Sequence, residues 1–232
     1  EMTNRIQKVV GGDSTELMVG NVHRFCSKFL FEQDKIPADS AIIDDEEAVS
    51  IIADYRNEDE EGVTRDFNRY KGYQTIIFFQ HFIYQMEHQH PWKYYLHPES
   101  FTDDDREAIK QICKSQKREY NEQAVIDIYH HAQQYMDEAN VPGLDAKTAD
   151  RIRVLLWKMY YAACYAQYKE ENHLLDFEDL LLKTYDIYST DDTCKRYKWI
   201  QVDEVQDLNG MQLAIIDLLT AIDNPMVMYL GD

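Results

Sequence analysis

From about Pro37 to about Glu171, apolar residues recur three and four positions apart almost without a break, and little in that stretch alternates as a strand would. The pattern is carried by TIIFFQHFIYQM (Thr75 to Met86), by Asp103 to Ala139 and by Asp145 to Asn172. Helices of this kind bury their stripes against one another, so the stretch predicts a helical bundle. Thr102 or Asp103 is placed to cap the second segment, and NVPG (Asn140 to Gly143) breaks the chain after it.

The flanks read differently. EMTNRIQKVV has the look of a helix tail that began upstream and is stopped by GGD, which makes the chain a fragment; ELMVG then reads as a short buried strand. In NVHRFCSKFLFEQ, residues Val22, Phe25, Cys26, Phe29 and Leu30 share one helical face, with Asn21 as cap. Beyond the bundle come a helix capped by Asp176 (DFEDLLLKTYDIY), a strand (YKWIQV), a group of acids, a helix (GMQLAIIDLLTAI) and a strand (PMVMYLGD). Strand, helix, strand with near-continuous apolar strands is the pattern of a parallel sheet. The expected fold is mostly α with a small parallel α/β part: residues 1–36 and 172–232 form one unit, and 37–171 are a helical insertion in it.

The 232 residues suffice for one large domain or two small ones. A formal net charge of −19 excludes a generic polyanion-binding surface, so any nucleic-acid contact has to be local. Much of the acid lies in Asp44 to Glu61 and in Asp103 to Asp105, where solvated faces and helix N-termini are expected. Cys26, Cys113, Cys164 and Cys194 form no Cys-x-x-Cys pair, which fits reduced thiols; Cys26 and Cys164 read as small buried hydrophobes. No apolar run approaches the roughly 20 residues of a membrane helix and no leader opens the chain, so a soluble cytoplasmic protein is expected. The many Tyr and Trp at helical spacing are read as packing in the bundle rather than as a base-stacking platform. His81, His88, His90 and His97 lack acid-backed ligand spacing and are read as structural.

Function is concentrated in VDEVQD. Ligands of an open parallel sheet bind outside the carboxyl ends of its strands, and Asp203 and Glu204 fall at such an end. Two carboxylates there can divide the work on a nucleotide, one holding a magnesium ion and the other orienting or deprotonating a water. The plainer alternative is a polar turn into a helix capped by Asp207 or Asn209. The preceding apolar strand, the added Gln206 and Asp207, and a second strand ending in Gly231-Asp232 favour a metal–triphosphate site.

VDEVQDLNGMQ resembles motif II of the UvrD/Rep-like superfamily 1 DNA helicases, which has the form DExQD after a strand. In order along the chain, EMTNRI resembles the tail of motif Ia, VGNVHRFCSKFL the Thr-Phe-His-Ser stretch after it, YKEENHLLDFEDLL the Asp-Phe-x-Asp-Leu-Leu segment, and MYLGD the opening of motif III. The resemblance implies a partial RecA-like (P-loop NTPase) domain 1A carrying a helical 1B insertion, in an ATP- and magnesium-dependent 3′–5′ translocase acting on single-stranded DNA and duplex junctions, with DNA repair as a setting. It implies magnesium at Asp203, water activation by Glu204, coupling of nucleotide to DNA through Gln206 and Asp207, nucleotide contact by Gly231 and Asp232, and DNA beside Asn21, His23 and Arg24. The family has Thr-Phe-His where this chain has Asn21-Val22-His23. A phosphate loop ending Gly-Lys-Ser/Thr occurs nowhere in these residues, so the isolated fragment is expected to be inactive. Two alternatives stand beside the motor. A RecB/AddA-like helicase–nuclease subunit would share these motifs, and a non-catalytic module would use the acidic insertion to bind a protein partner.

Overall fold

The computed structural model describes residues 18–231. The helix tail at Glu1–Val10, Glu16 and Leu17 of the short strand, and Asp232 lie outside the described residues. Met18 to Gly20, the rest of that strand, run as irregular chain, which corrects the expectation.

The chain forms helix α1 (Val22–Glu32), a short strand β1 (Ala41–Ile42), and then helices α2 (Asp45–Tyr55), α3 (Glu60–Arg65), α4 (Phe67–Glu87), α5 (Asp103–Ser115), α6 (Glu122–His130) and α7 (Ala146–Glu171). Strand β2 (Leu174–Leu175), helix α8 (Phe177–Thr190), strand β3 (Trp199–Val202), helix α9 (Gly210–Leu219) and strand β4 (Met226–Tyr229) complete it. Among the described residues the fold is mostly helical with two small parallel sheets, β1 on β2 and β3 on β4.

Each described α-helix opens on a side-chain cap: Asn21, Asp44, Asp59, Asp66, Thr102, Asn121, Asp145, Asp176 and Asn209 each accept a backbone N–H from the first turn. Such caps contribute about 1 kcal/mol each. They also account for part of the acid, since Asp44 to Glu47 and Thr102 to Asp105 close capping boxes. Helix ends show the reverse economy: Asp34, Asn57, Gln89, Lys117 and His173 take the left-handed conformation after α1, α2, α4, α5 and α7, where glycine is the usual choice. Each costs about 1 kcal/mol of backbone strain. Lys117→Gly, at the turn where the Arg118 N–H donates to the Cys113 carbonyl at 2.9 Å, should therefore raise unfolding stability by up to about 1 kcal/mol in urea.

The predicted helix over Asp103 to Ala139 is three pieces: α5, α6 and a 3₁₀ run from Ala132 to Asn140. KSQKREYN offers no apolar side chain at helical spacing until Tyr120, so nothing holds the chain helical between Ser115 and Asn121. The predicted last helix covers Asp145 to Asn172 almost residue for residue, as α7.

Two apolar cores result. The larger gathers Ile52, Phe79, Phe82, Ile83, Ile109, Ile112, Ile128, Ile152, Leu155 and Tyr165 around the Tyr73–Met86 part of α4, which is buried on nearly every side. The smaller joins Cys26 and Leu30 of α1 to Leu180–Leu182 and Tyr188 of α8 and to Met211, Ile215 and Leu219 of α9, with Leu96 reaching in from the bundle. All four cysteines are free; Cys26 is fully buried, its thiol pushed up to about 12 by burial, while Cys164 is half-buried. Among the described residues no helix is long and apolar enough to cross a membrane.

Candidate functional site

β3 and β4 run parallel, pairing Trp199 with Met226 through Val202 with Tyr229. Val202 is buried, and directly after it the chain leaves the sheet at its carboxyl edge. Two backbone bonds fix the exit: the Leu230 N–H donates to the Val202 carbonyl at 2.8 Å and the Val205 N–H to the Leu230 carbonyl at 3.1 Å. Glu204 must then turn through the left-handed region, with φ 52° and ψ 45°, a conformation that costs a non-glycine residue about 1 kcal/mol and is common where a side chain is aimed for use.

Asp203, Glu204, Gln206 and Asp207 are all exposed there. The Gln206 amide donates to Glu204 Oε2 at 2.6 Å, and Asp203 Oδ1 accepts the Glu204 N–H at 3.1 Å. Among the described residues none of the three carboxylates has a Lys or Arg partner. Three unneutralised acids within five residues at a strand end suit a hard divalent cation with oxygen ligands. Gly231 closes the other side: a Cβ there would press on the Gln206 amide and lie 2.9 Å from Val205 Cγ1, so a larger residue would make those side chains shift.

Asn209, not Asp207, caps the following helix, in a capping box with Gln212. The next residue, Gly210, presses on the bundle: a Cβ would sit 2.4 Å from the Lys93 carbonyl oxygen. Because that neighbour is backbone, Gly210→Ala should destabilise by about 1–3 kcal/mol in chemical denaturation, while an unchanged midpoint would show the contact to be loose.

The residues expected beside DNA lie on α1 and at its cap. Asn21 Oδ1 accepts the Arg24 N–H at 2.8 Å, so its acceptor is engaged in capping. His23 is half-buried, edge-on to Phe177 with ring centroids 5.9 Å apart, and burial holds its pKa down against the opposing charge of Glu178. Arg24 is exposed, its stem lying over Gly20. α8 packs on both α1 and α9 and so joins these residues to the acids.

The UvrD/REP helicase N-terminal domain model matches residues 1–232. This chain belongs to the UvrD/REP helicase family. No curated protein gives a significant match.

In this helicase domain α8 is also the seat of a buried polar junction that spacing along the sequence did not show. Asp176 Oδ2 accepts from Lys169 Nζ at 2.7 Å and from the Tyr165 hydroxyl at 2.8 Å, and meets His81 Nε2 at 2.9 Å. Lys169 also donates to Asp179 Oδ2 at 2.6 Å and to Gln80 Oε1 at 3.1 Å. Burial opposes the charge of Asp176, but His81 and Lys169 outweigh it and hold the carboxyl well below its ordinary range. Asp179 is pushed up instead, by burial and by the charge of Asp176. His81, Asp176 and Glu178 come close enough to share a cation. However, the Lys169 ammonium already supplies the positive charge at Asp176, which makes this an ion-pair network.

Of the four histidines from His81 to His97, three thus find acids on α8 or at its cap. His90 Nε2 meets Asp186 Oδ1 at 2.6 Å, beside the Tyr84 hydroxyl on Oδ2 at 2.6 Å, and His97 lies 3.3 Å from Glu178. His88 faces the Tyr84 carbonyl. Burial works against the charge on His97, yet its bonds to Glu178 and Glu99 prevail and raise it above its ordinary 6.5. Its stabilisation is therefore complete below pH 6.5 and fades as pH rises through the raised value. The gap in Tm between the wild type and His97→Gln should be wider at pH 5 than at pH 8; a gap independent of pH would mean that His97 acts only by stacking on Phe78.

Proposed function

We propose that this chain is part of the motor of an ATP-dependent DNA helicase, comprising a partial RecA-like domain 1A (residues 1–36 and 172–232) and a helical 1B-type insertion (37–171). The observation that carries the reading is the unpaired, solvent-open group Asp203, Glu204 and Asp207 at the carboxyl end of a parallel strand, in a chain of the UvrD/REP family. The two cores, the larger drawn from Ile43 to Tyr165 and the smaller mainly from α1, α8 and α9, support the division.

In this reading Asp203 holds magnesium, directly or through water, and Glu204 accepts the proton of the attacking water. Bound magnesium neutralises charge on the triphosphate and orients it. Gln206, bonded to Glu204, and Asp207 connect the acids to α9, and Gly231, beside Gln206, serves the nucleotide; the same role for Asp232 rests on the family resemblance alone. Asn21, His23 and Arg24 serve single-stranded DNA; with the Asn21 oxygen taken up in capping, Arg24 is the freest of the three to meet a phosphate. Translocation with 3′–5′ polarity, duplex junctions as substrate and a cytoplasmic setting in DNA repair complete the proposal. The test is ATP hydrolysis by the full-length protein with and without a single-stranded oligonucleotide. Stimulation by the oligonucleotide is expected; hydrolysis absent under both conditions would remove the motor.

A further inference from the structure

Among the described residues one face of α7 is only partly covered, by Tyr55 and Arg56 at the end of α2. Val154, Trp157, Tyr161, Cys164 and Tyr168 recur at helical spacing, with Val154 60% and Trp157 47% exposed. Over the 15 residues from Val154 to Tyr168 the stripe runs about 21 Å. It is a built surface: Trp157 stacks on Tyr161 with centroids 5.6 Å apart, and Tyr168 meets the exposed Tyr55 edge-on at 6.2 Å. Arg56, which lies over the Tyr161 ring, is already paired with Glu58 at 2.9 Å.

At the Tyr168 end the stripe opens into a groove of about 510 Å³. Ile43, Ile51, Leu174 and Tyr168 form its floor, and Glu46, Glu47, Glu60 and Glu61 stand among its walls. Glu47 also closes the Asp44 capping box and Glu61 meets Arg65 in an open surface pair. Among the described residues Glu46 and Glu60 have no cationic partner. An apolar floor with an acid rim asks for apolar side chains flanked by Lys or Arg, and an anionic strand of nucleic acid is repelled from it.

We propose that the α7 stripe and the adjoining acidic groove form a docking surface for a basic amphipathic helix of a partner protein. About four helical turns match the stripe, and Lys or Arg at one end of that helix meet Glu46 and Glu60. The motor reading does not enter this argument.

The experiment uses the full-length protein and three fluorescent probes: an 18-residue Leu/Lys amphipathic peptide, its Leu/Glu counterpart, and a single-stranded 18-mer oligonucleotide, each in excess of the length of the stripe. Trp157→Ser changes no charge and should weaken the Leu/Lys peptide about tenfold or more, as should Glu46→Lys with Glu60→Lys. Glu119→Lys with Asp223→Lys, an equal charge change at exposed positions elsewhere, should change binding less than about twofold. The proposal is overturned if the control pair weakens binding as much as the rim pair, which means bulk charge attraction. It is overturned equally if Trp157→Ser leaves affinity unchanged, or if that variant weakens the Leu/Glu peptide or the oligonucleotide instead.

Discussion

Lys169→Met should lower the stability of the domain by about 3–5 kcal/mol, because removing one partner of a buried ion pair leaves the other charges uncompensated. In a domain of this size that is a fall in Tm of roughly 6–20 °C. The loss is large here because the ammonium bonds Asp176, Asp179 and Gln80 at once, each at least nine-tenths buried, so that no water replaces it. The protein has one escape, protonation of Asp179, whose carboxyl already lies above its ordinary range. With the lysine gone, both carboxyls bind protons more readily in the folded state, so the deficit should deepen from pH 5 to pH 8. Adding Asp179→Asn to Lys169→Met removes one orphaned charge and should recover part of the loss. A deficit below about 1 kcal/mol at neutral pH would show that the junction is solvated and of little consequence.

Glu204→Gln should reduce ATP turnover by the full-length protein by about 10²- to 10⁴-fold, the usual contribution of a positioned general base. The exchange is close to isosteric, and the new amide oxygen can still accept from Gln206, so the turn at φ 52° and the capping box of α9 are expected to persist. Nucleotide binding, followed by fluorescence with a labelled ATP analogue, should therefore be retained while hydrolysis is lost. Unchanged turnover would take the base away from Glu204. Joint loss of binding and turnover would assign it to holding the metal.

The readable features were the local ones. Caps at Asn21, Asp176 and Asn209, the span of α7, and the acid group after β3 each depend on residues within a few positions of one another, where side chain and backbone compete directly. The breaks in 103–139 were harder to read, because Ile109, Ile112 and Val125 hold helical spacing across a polar turn whose contacts, such as Arg118 with Asp127, are polar and leave no apolar signal. The junction on α8 could not be read by spacing: His81 and Asp176 are 95 residues apart, and His90 and Asp186 are 96. Its one local trace was Lys169, a charge four residues after Tyr165 on an otherwise apolar face of α7. The αL turn at Glu204 likewise carries no glycine to announce it.

The two-residue clasp of β1 on β2, Ala41 beside Leu174 and Ile42 beside Leu175, imposes an order on folding. The larger core draws on a continuous run, Ile43 to Tyr165, whereas the smaller must bring Cys26 and Leu30 to Leu180 and beyond. For a free chain that second meeting closes a loop of some 150 residues before any contact offsets its entropy. Once the bundle has formed, the clasp holds the two ends of the insertion side by side, and the remaining search spans only short segments. Slow formation of the α1–α8–α9 core in a bundle-destabilised variant, with little change in its unfolding rate, would be the kinetic signature of that dependence.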